Sequence, residues 1–209
     1  MKYQNKRIMK QKIGIIGAGN IGRTVAAHLL KAGYEVVLSN SRNPETLADT
    51  IETLGAGAVA ATTKEAASAD IVLLALPWAQ LSSLKKLTDW NDKTVIDATN
   101  HFITYAPDFK LADLNGRASS EVVAEHVPGA NVVKAFNTLY FKILQRDPQE
   151  ANGRRVLFYS GDDSGAKAEV QHLIDDIGFA PVDLGDLATG SKLQQPKGAV
   201  ATLNLIKAA

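Results

Sequence analysis

At 209 residues the chain has the length of one generous α/β domain, or of a nucleotide-binding domain with a small appendage. Its 45% hydrophobic content and its 23 Lys+Arg against 22 Asp+Glu, a net charge of +1, describe an ordinary globular composition and argue against a nucleic-acid binder. Cysteine is absent, which excludes disulfides, thiolate metal ligands and thiol catalysis, and the longest apolar run, 71–79, is about half the roughly 20 residues a membrane helix needs.

In chain order, Lys2, Lys6, Arg7, Lys10 and Lys12 come first without an acid among them. No long apolar segment follows, so residues 1–11 read as a solvated basic tail and a cytoplasmic protein is expected, with no membrane partner. Short β-rich runs then alternate with helical patterns, the signature of a parallel sheet covered on both faces. Strands are predicted at 12–16, 35–39, near Val59, and at 71–75, 94–97, 131–135, 155–159 and 180–183. Asn43 is expected to cap a helix opened by Pro44 and closed before Gly55, and Thr63 a short one ending before Ala69. Ala166, Val170, Leu173, Ile174 and Ile177 fall at helical spacing, with Gly178 suited to the left-handed position that ends the helix. The stretch 137–153 is less regular. The reading is a Rossmann-type, doubly wound α/β fold with a mostly parallel sheet over 12–136, and a small C-terminal α/β extension over 137–209.

The first strand runs directly into Gly17-Ala18-Gly19-Asn20-Ile21-Gly22. Strand, GxGxxG and helix in that order form the dinucleotide fingerprint in its required context. Gly17 permits the tight turn, Gly19 lets the backbone approach a pyrophosphate, and Gly22 lets the helix pack closely on the strand. The helix N-terminus then faces the diphosphate. Roughly 20 residues on, where an NAD enzyme places an acid for the ribose hydroxyls, the chain has Ser39-Asn40-Ser41-Arg42. A hydroxyl and a guanidinium suit a 2′-phosphate better than a bare diol, so NADP(H) is the expected cofactor. The competing reading of Ser41 and Arg42 is a solvated loop before the helix cap.

In such a sheet the ligand lies outside the carboxyl ends of the strands, so the reactive end of the cofactor belongs near Leu76-Pro77-Trp78, Ala98-Thr99-Asn100 and Phe136-Asn137-Thr138. Pro77 can fix its loop, Trp78 offers a flat apolar wall, and Asn100 and Asn137 can hydrogen-bond a carboxamide or a substrate ring. Helix capping and edge packing are the alternatives for these residues. Lys134, near a strand end among apolar neighbours, reads either as an anion contact or as a side chain snorkelling to solvent. His28 and His126 read as structural or exposed. No Ser/His/Asp order, HExxH or paired-carboxylate spacing stands out, so neither a catalytic side chain nor a metal site is assigned.

Together these segments resemble the NADPH-dependent deazaflavin (coenzyme F-420) reductase family, relatives of the pyrroline-carboxylate reductase N-terminal domain. The resemblance is carried by residues 13–22, the Ser39-Asn40-Ser41-Arg42 turn, Ala75-Leu76-Pro77-Trp78, residues 132–139, Ser160-Gly161-Asp162-Asp163 and residues 178–185. It implies reversible hydride transfer between NADP(H) and a deazaflavin, with the two rings stacked and little demanded of side chains. The family's NADP contacts carry over to Ala18, Gly19, Asn20 and Ile21 at the diphosphate, to Ser41 and Arg42 at the 2′-phosphate, and to Leu76, Pro77 and Ala135 near the nicotinamide. Thr46 stands where archaeal members often have a further Lys, which implies a weaker phosphate clamp. The Phe136-Asn137-Thr138 version also looks like the cytoplasmic oxidoreductase domain of membrane ferric reductases, which pair NADPH with a flavin. FMN or FAD is therefore an alternative second substrate to the deazaflavin. The resemblance further implies a homodimer, with the segment from Gln194 to Ile206 closing the site.

Three readings stay open: an NADPH:deazaflavin or NADPH:flavin oxidoreductase acting on a small-molecule acceptor, an NADP-dependent dehydrogenase of a small metabolite with Lys134 as proton donor, and a non-catalytic NADP(H)-sensing module.

Overall fold

The computed structural model describes residues 11–208, so residues 1–10 of the expected basic tail lie outside the described residues. Six strands run parallel: β1 (Lys12–Ile16), β2 (Glu35–Ser39), β3 (Ala58–Ala60), β4 (Ile71–Leu74), β5 (Thr94–Asp97) and β6 (Asn131–Ala135). Their spatial order is β3-β2-β1-β4-β5-β6, the doubly wound arrangement, whose order reverses between β1 and β4. The fold is the Rossmann-type α/β class that the alternating pattern implies.

Strand interiors are apolar on both sides because helices cover both faces. Along β1, Ile13 and Ile15 point to one face, where they pack with Val25, Ala26 and Leu29 of α1 (Asn20–Lys31) and Val170, Leu173 and Ile174 of α6 (Ser164–Asp176). Ile16, Val72, Leu74 and Val95 point to the other, against Ala66 of α3 (Thr63–Ala66), Trp90 and Val123 of α4 (Ser119–Ala124). The remaining helices are α2 (Ala48–Leu54), α5 (Phe141–Leu144) and α7 (Leu187–Gln194), with short 3-10 turns at Pro44–Leu47 and Trp78–Leu84.

Beyond residue 137 the chain extends the same sheet. β8 (Gly153–Gly161) runs antiparallel to β6, β9 (Ala180–Asp183) lies parallel to β8, and β7 (Gln149–Glu150) and β10 (Ile206–Ala208) pair antiparallel with the start of β8. Asn137, where a boundary is expected, lies in the turn after β6, and the first core cluster continues through both parts of the chain.

Two caps differ from their sequence assignment. Thr62, rather than Thr63, caps α3, because its side chain accepts from the Glu65 N–H while the Glu65 carboxylate reaches back to the Thr62 N–H: a reciprocal capping box. Asn43 precedes a 3-10 turn and makes no side-chain cap there. The α6 helix ends as its stripe requires, with Gly178 at φ 92°.

Candidate functional site

The site begins with a backbone turn that only glycine permits. Gly17 sits at φ 116°, and a Cβ there would lie 2.3 Å from the carbonyl oxygen of Ala75. A Cβ on Gly22 would stand 1.9 Å from the Gly17 oxygen, so the bare backbone lets α1 start tight against the end of β1. Gly19 differs: nothing lies within 4 Å of where its Cβ would be. That space opens in front of α1, which has no side-chain cap and no acid in its first turn, so its leading amides face a free volume. A diphosphate fits this cradle, since the amides and the helix dipole supply the donors and the positive end.

The neighbouring turn after β2 is held by its own side chains. Asn40 Oδ1 accepts the Arg42 N–H at 2.8 Å, and Asn40 Nδ2 donates to Thr46 Oγ1 at 2.9 Å. Thr46 in turn donates to the Asn43 carbonyl at 2.7 Å, so its hydroxyl is occupied within the loop. Ser41 and Arg42 remain exposed at the rim of the cleft, and the Arg42 guanidinium has no partner among the described residues.

From here one cleft of about 1240 Å³ crosses the carboxyl ends of the parallel strands. It is lined by Gly17, Ala18, Gly19, Asn20, Ile21, Ser41, Arg42, Leu76, Pro77, Asn100 and Asn137, which brings together eleven of the residues singled out in the sequence. Gly22, Trp78 and Ala135 are not on its wall. Gly22 is buried against the β1 turn, and Ala135 is fully buried in the first core cluster. Trp78 packs toward the second core cluster, its ring edge-on to His101 at 5.9 Å, so the flat wall expected of it is turned inward.

The far end of the cleft is aromatic, a feature that spacing did not reveal. Phe102, Tyr105 and Phe109 belong to the long connection after β5, with ring centroids 5.7 Å and 5.8 Å apart. Tyr140 and Phe141 face the same cleft from the start of α5. The C-terminal segment contributes Gln194, Pro196, Lys197, Ala201 and Thr202 to the lining. Arg23, on the first turns of α1, adds a second guanidinium on the phosphate side.

Beneath this end lies a buried polar network. Lys134 is fully buried and donates to Asp97 Oδ2 at 3.0 Å and to the Thr99 carbonyl at 3.1 Å, so it neither snorkels nor faces the cleft. Asp97 also accepts from the Thr99 N–H, the Thr99 hydroxyl and the Ser120 hydroxyl, which satisfies both its oxygens. Gln194 reaches in from α7 to the carbonyls of Lys134 and Phe158, accepts from Ser160, and meets Asn137. Asn137 in turn donates to Asn100 Oδ1 at 3.0 Å and to the Gln194 carbonyl at 2.8 Å. The two asparagines thus brace each other at the cleft floor. The register pairs Asp97 with Lys134 across adjacent strands; a charge of each sign ending two apolar strands was the one available signal. His101, next to Asn100, is buried, and burial pushes its pKa below the usual value, with the Lys134 and Lys197 charges acting in the same direction.

Comparison with known proteins fits this geometry. Residues 12–101 match the model of the family described as NADP oxidoreductase coenzyme F420-dependent. Over that stretch the chain is similar to the family. A hypothetical protein from Sinorhizobium meliloti has a solved structure 43% identical to it, covering 95% of this chain and 96% of its own, with a TM-score of 0.88. A structure from Arthrobacter sp. FB24, provisionally named an F420-dependent NADP reductase, is 27% identical, covers 85% of this chain and 86% of its own, and has a TM-score of 0.74. Metalloreductase STEAP3 of Rattus norvegicus is 32% identical over 184 residues, which are 88% of this chain and 36% of that protein. The chain spans about a third of the length of the curated metalloreductases it matches. A pyrroline-5-carboxylate reductase from Coxiella burnetii, at 15% identity, covers 84% of this chain and 59% of its own; its TM-score of 0.57 reflects the shared fold alone. Among the described residues, no helix is long and apolar enough to cross a membrane and no cluster of metal-ligating side chains is present.

Proposed function

We propose that this chain is an NADP oxidoreductase that transfers a hydride between NADP(H) and the ring of a deazaflavin or flavin. The observation that carries the reading is the single cleft, phosphate-binding at one end and aromatic at the other. At about 1240 Å³ it exceeds the roughly 300–1,000 Å³ of an ordinary small-ligand pocket, which is room for two ring-bearing molecules.

The nicotinamide supplies the hydride chemistry when NADP(H) is bound. The chain's own part is placement. The glycine turn and the leading amides of α1 hold the diphosphate, Ser41 and Arg42 meet the 2′-phosphate, and Arg23 on α1 adds positive potential at the same end. Leu76 and Pro77 border the ring position, and Phe102, Tyr105 and Phe109 offer flat faces against which a second ring can lie. Holding two rings at hydride distance supplies much of the barrier reduction such a reaction needs.

The metabolite-dehydrogenase alternative loses its proton donor, since Lys134 is consumed by Asp97 beneath the floor. The deciding experiment follows NADPH absorbance with deazaflavin, FMN, FAD and ferric chelates as acceptors. Oxidation by a deazaflavin or flavin is expected. Tight NADPH binding without turnover on any acceptor would overturn the reading in favour of a sensor.

A further inference from the structure

The turn after β6 leaves one buried polar atom without a partner at the ring end of the cleft. Phe136, fully buried, takes φ 66°, a left-handed conformation that a bulky side chain adopts rarely. Such an outlier next to a ligand cleft is where backbone strain is characteristically kept for function. The turn brings Asn137 and Thr138 to the cleft, and the two fare differently. Both donor contacts of the Asn137 amide are taken, by Asn100 and Gln194. Thr138 is only 3% exposed, and its carbonyl accepts the Thr202 N–H at 2.8 Å, which fixes the residue under the C-terminal segment. Its hydroxyl Oγ1 is buried and has no hydrogen-bond partner, and the residue itself borders the cleft.

A buried hydroxyl without a partner is a rarity that calls for one supplied from outside the chain. A threonine kept where a valine would fill the same space points to a polar atom on the bound ligand. The position says which end of the ligand it meets. The diphosphate belongs at α1 and the 2′-phosphate at the end of β2, while Thr138 follows β6, beside the β5 loop and on the opposite side of β1. We propose that Thr138 Oγ1 is the hydrogen-bond partner of the nicotinamide carboxamide, making Thr138 a positioning residue that fixes which ring face is presented for hydride transfer. This rests on NADP(H) occupying the cleft.

The test compares Thr138→Val, which keeps the shape and removes the hydroxyl, with Thr138→Ser, which keeps the hydroxyl. Each is titrated with NADP and with 2′-phospho-ADP-ribose, which lacks only the nicotinamide. Thr138→Val is expected to weaken NADP about 5-fold, the loss of one neutral hydrogen bond, and to leave 2′-phospho-ADP-ribose unchanged, with Thr138→Ser near wild type. Equal weakening of both ligands would mean a structural role and overturn the assignment, as would unchanged NADP affinity or a loss confined to the acceptor's KM. Wild-type protein that binds neither NADP nor 2′-phospho-ADP-ribose would instead sink the cofactor reading itself.

Discussion

The two ends of the cleft are made of different material. Around β1 and β2 the site is backbone: Gly17 donates to the Ser39 carbonyl at 2.9 Å, Ser39 Oγ donates to the Ile15 carbonyl at 3.1 Å, and glycine contacts set where α1 begins. Around β5, β6 and α7 it is side chain, a chain of polar groups from Ser120 through Asp97 and Lys134 to Gln194, Ser160 and Asn137. A backbone site tolerates change in surrounding side chains but not in its glycines. A side-chain network inverts that tolerance, because each member satisfies another's buried polarity.

The largest expected effect follows from that contrast. Lys134→Met leaves the Asp97 carboxylate fully buried without its counter-charge, and a loss of about 3–5 kcal/mol is expected in urea unfolding. Pairing it with Asp97→Asn should recover most of the loss, since no uncompensated charge then remains inside. If the single variant unfolds within about 1 kcal/mol of wild type, the two ends are not as different as their construction implies.

The same contrast explains what the sequence made legible. The phosphate end is announced by contiguous residues even though its contacts cross the sheet: six residues spell the glycine turn, and Ser41 and Arg42 follow a strand whose limits the apolar run marks directly. Trp78 departs from its expected place on the cleft wall because an aromatic after a strand end can turn either way, and here it packs against the second core cluster. The network was hidden because its partners are far apart in the chain. Asp97 and Lys134 are 37 residues apart and Asn137 and Gln194 are 57 apart, and nothing in local spacing announces that α7 returns to the end of β6. The aromatic wall was hidden for a related reason, since Phe102, Tyr105 and Phe109 lie in an irregular connection with no period to read.

An intermediate effect isolates the phosphate end. Arg42→Ala should weaken NADP by about 1.5–3 kcal/mol, the range of a charged hydrogen bond, and leave NAD nearly unchanged. Because Arg42 is exposed and makes no contact with the network, the variant's unfolding midpoint should match wild type. Isothermal titration with both cofactors checks the first statement and urea unfolding the second. Equal losses for NADP and NAD would move Arg42 from the 2′-phosphate to the diphosphate, where Arg23 already stands.

The smallest effect is one of pH, and it concerns two histidines that lie off the cleft wall. His101, near the network, and His28, on α1, both have pKa values pushed below 6.5, chiefly by burial. The folded state therefore binds fewer protons than the unfolded chain as pH falls through the unfolded value. Stability contributed by each imidazole is present above that value and lost as pH drops toward the folded one. The two differ in what the ring does when neutral. His28 Nε2 meets the Leu144 carbonyl at 2.7 Å, so the neutral ring is a useful donor, whereas His101 Nδ1 has no partner. His101→Phe should thus leave stability near pH 8 almost unchanged while shrinking the loss on going to about pH 5.5. His28→Phe should cost about 1 kcal/mol at both pH values, because a hydrogen bond is lost as well, while also flattening the acid limb. Urea midpoints at the two pH values separate these outcomes. An acid limb that stays as steep in the double variant as in wild type would assign the pH dependence to groups other than the two buried imidazoles.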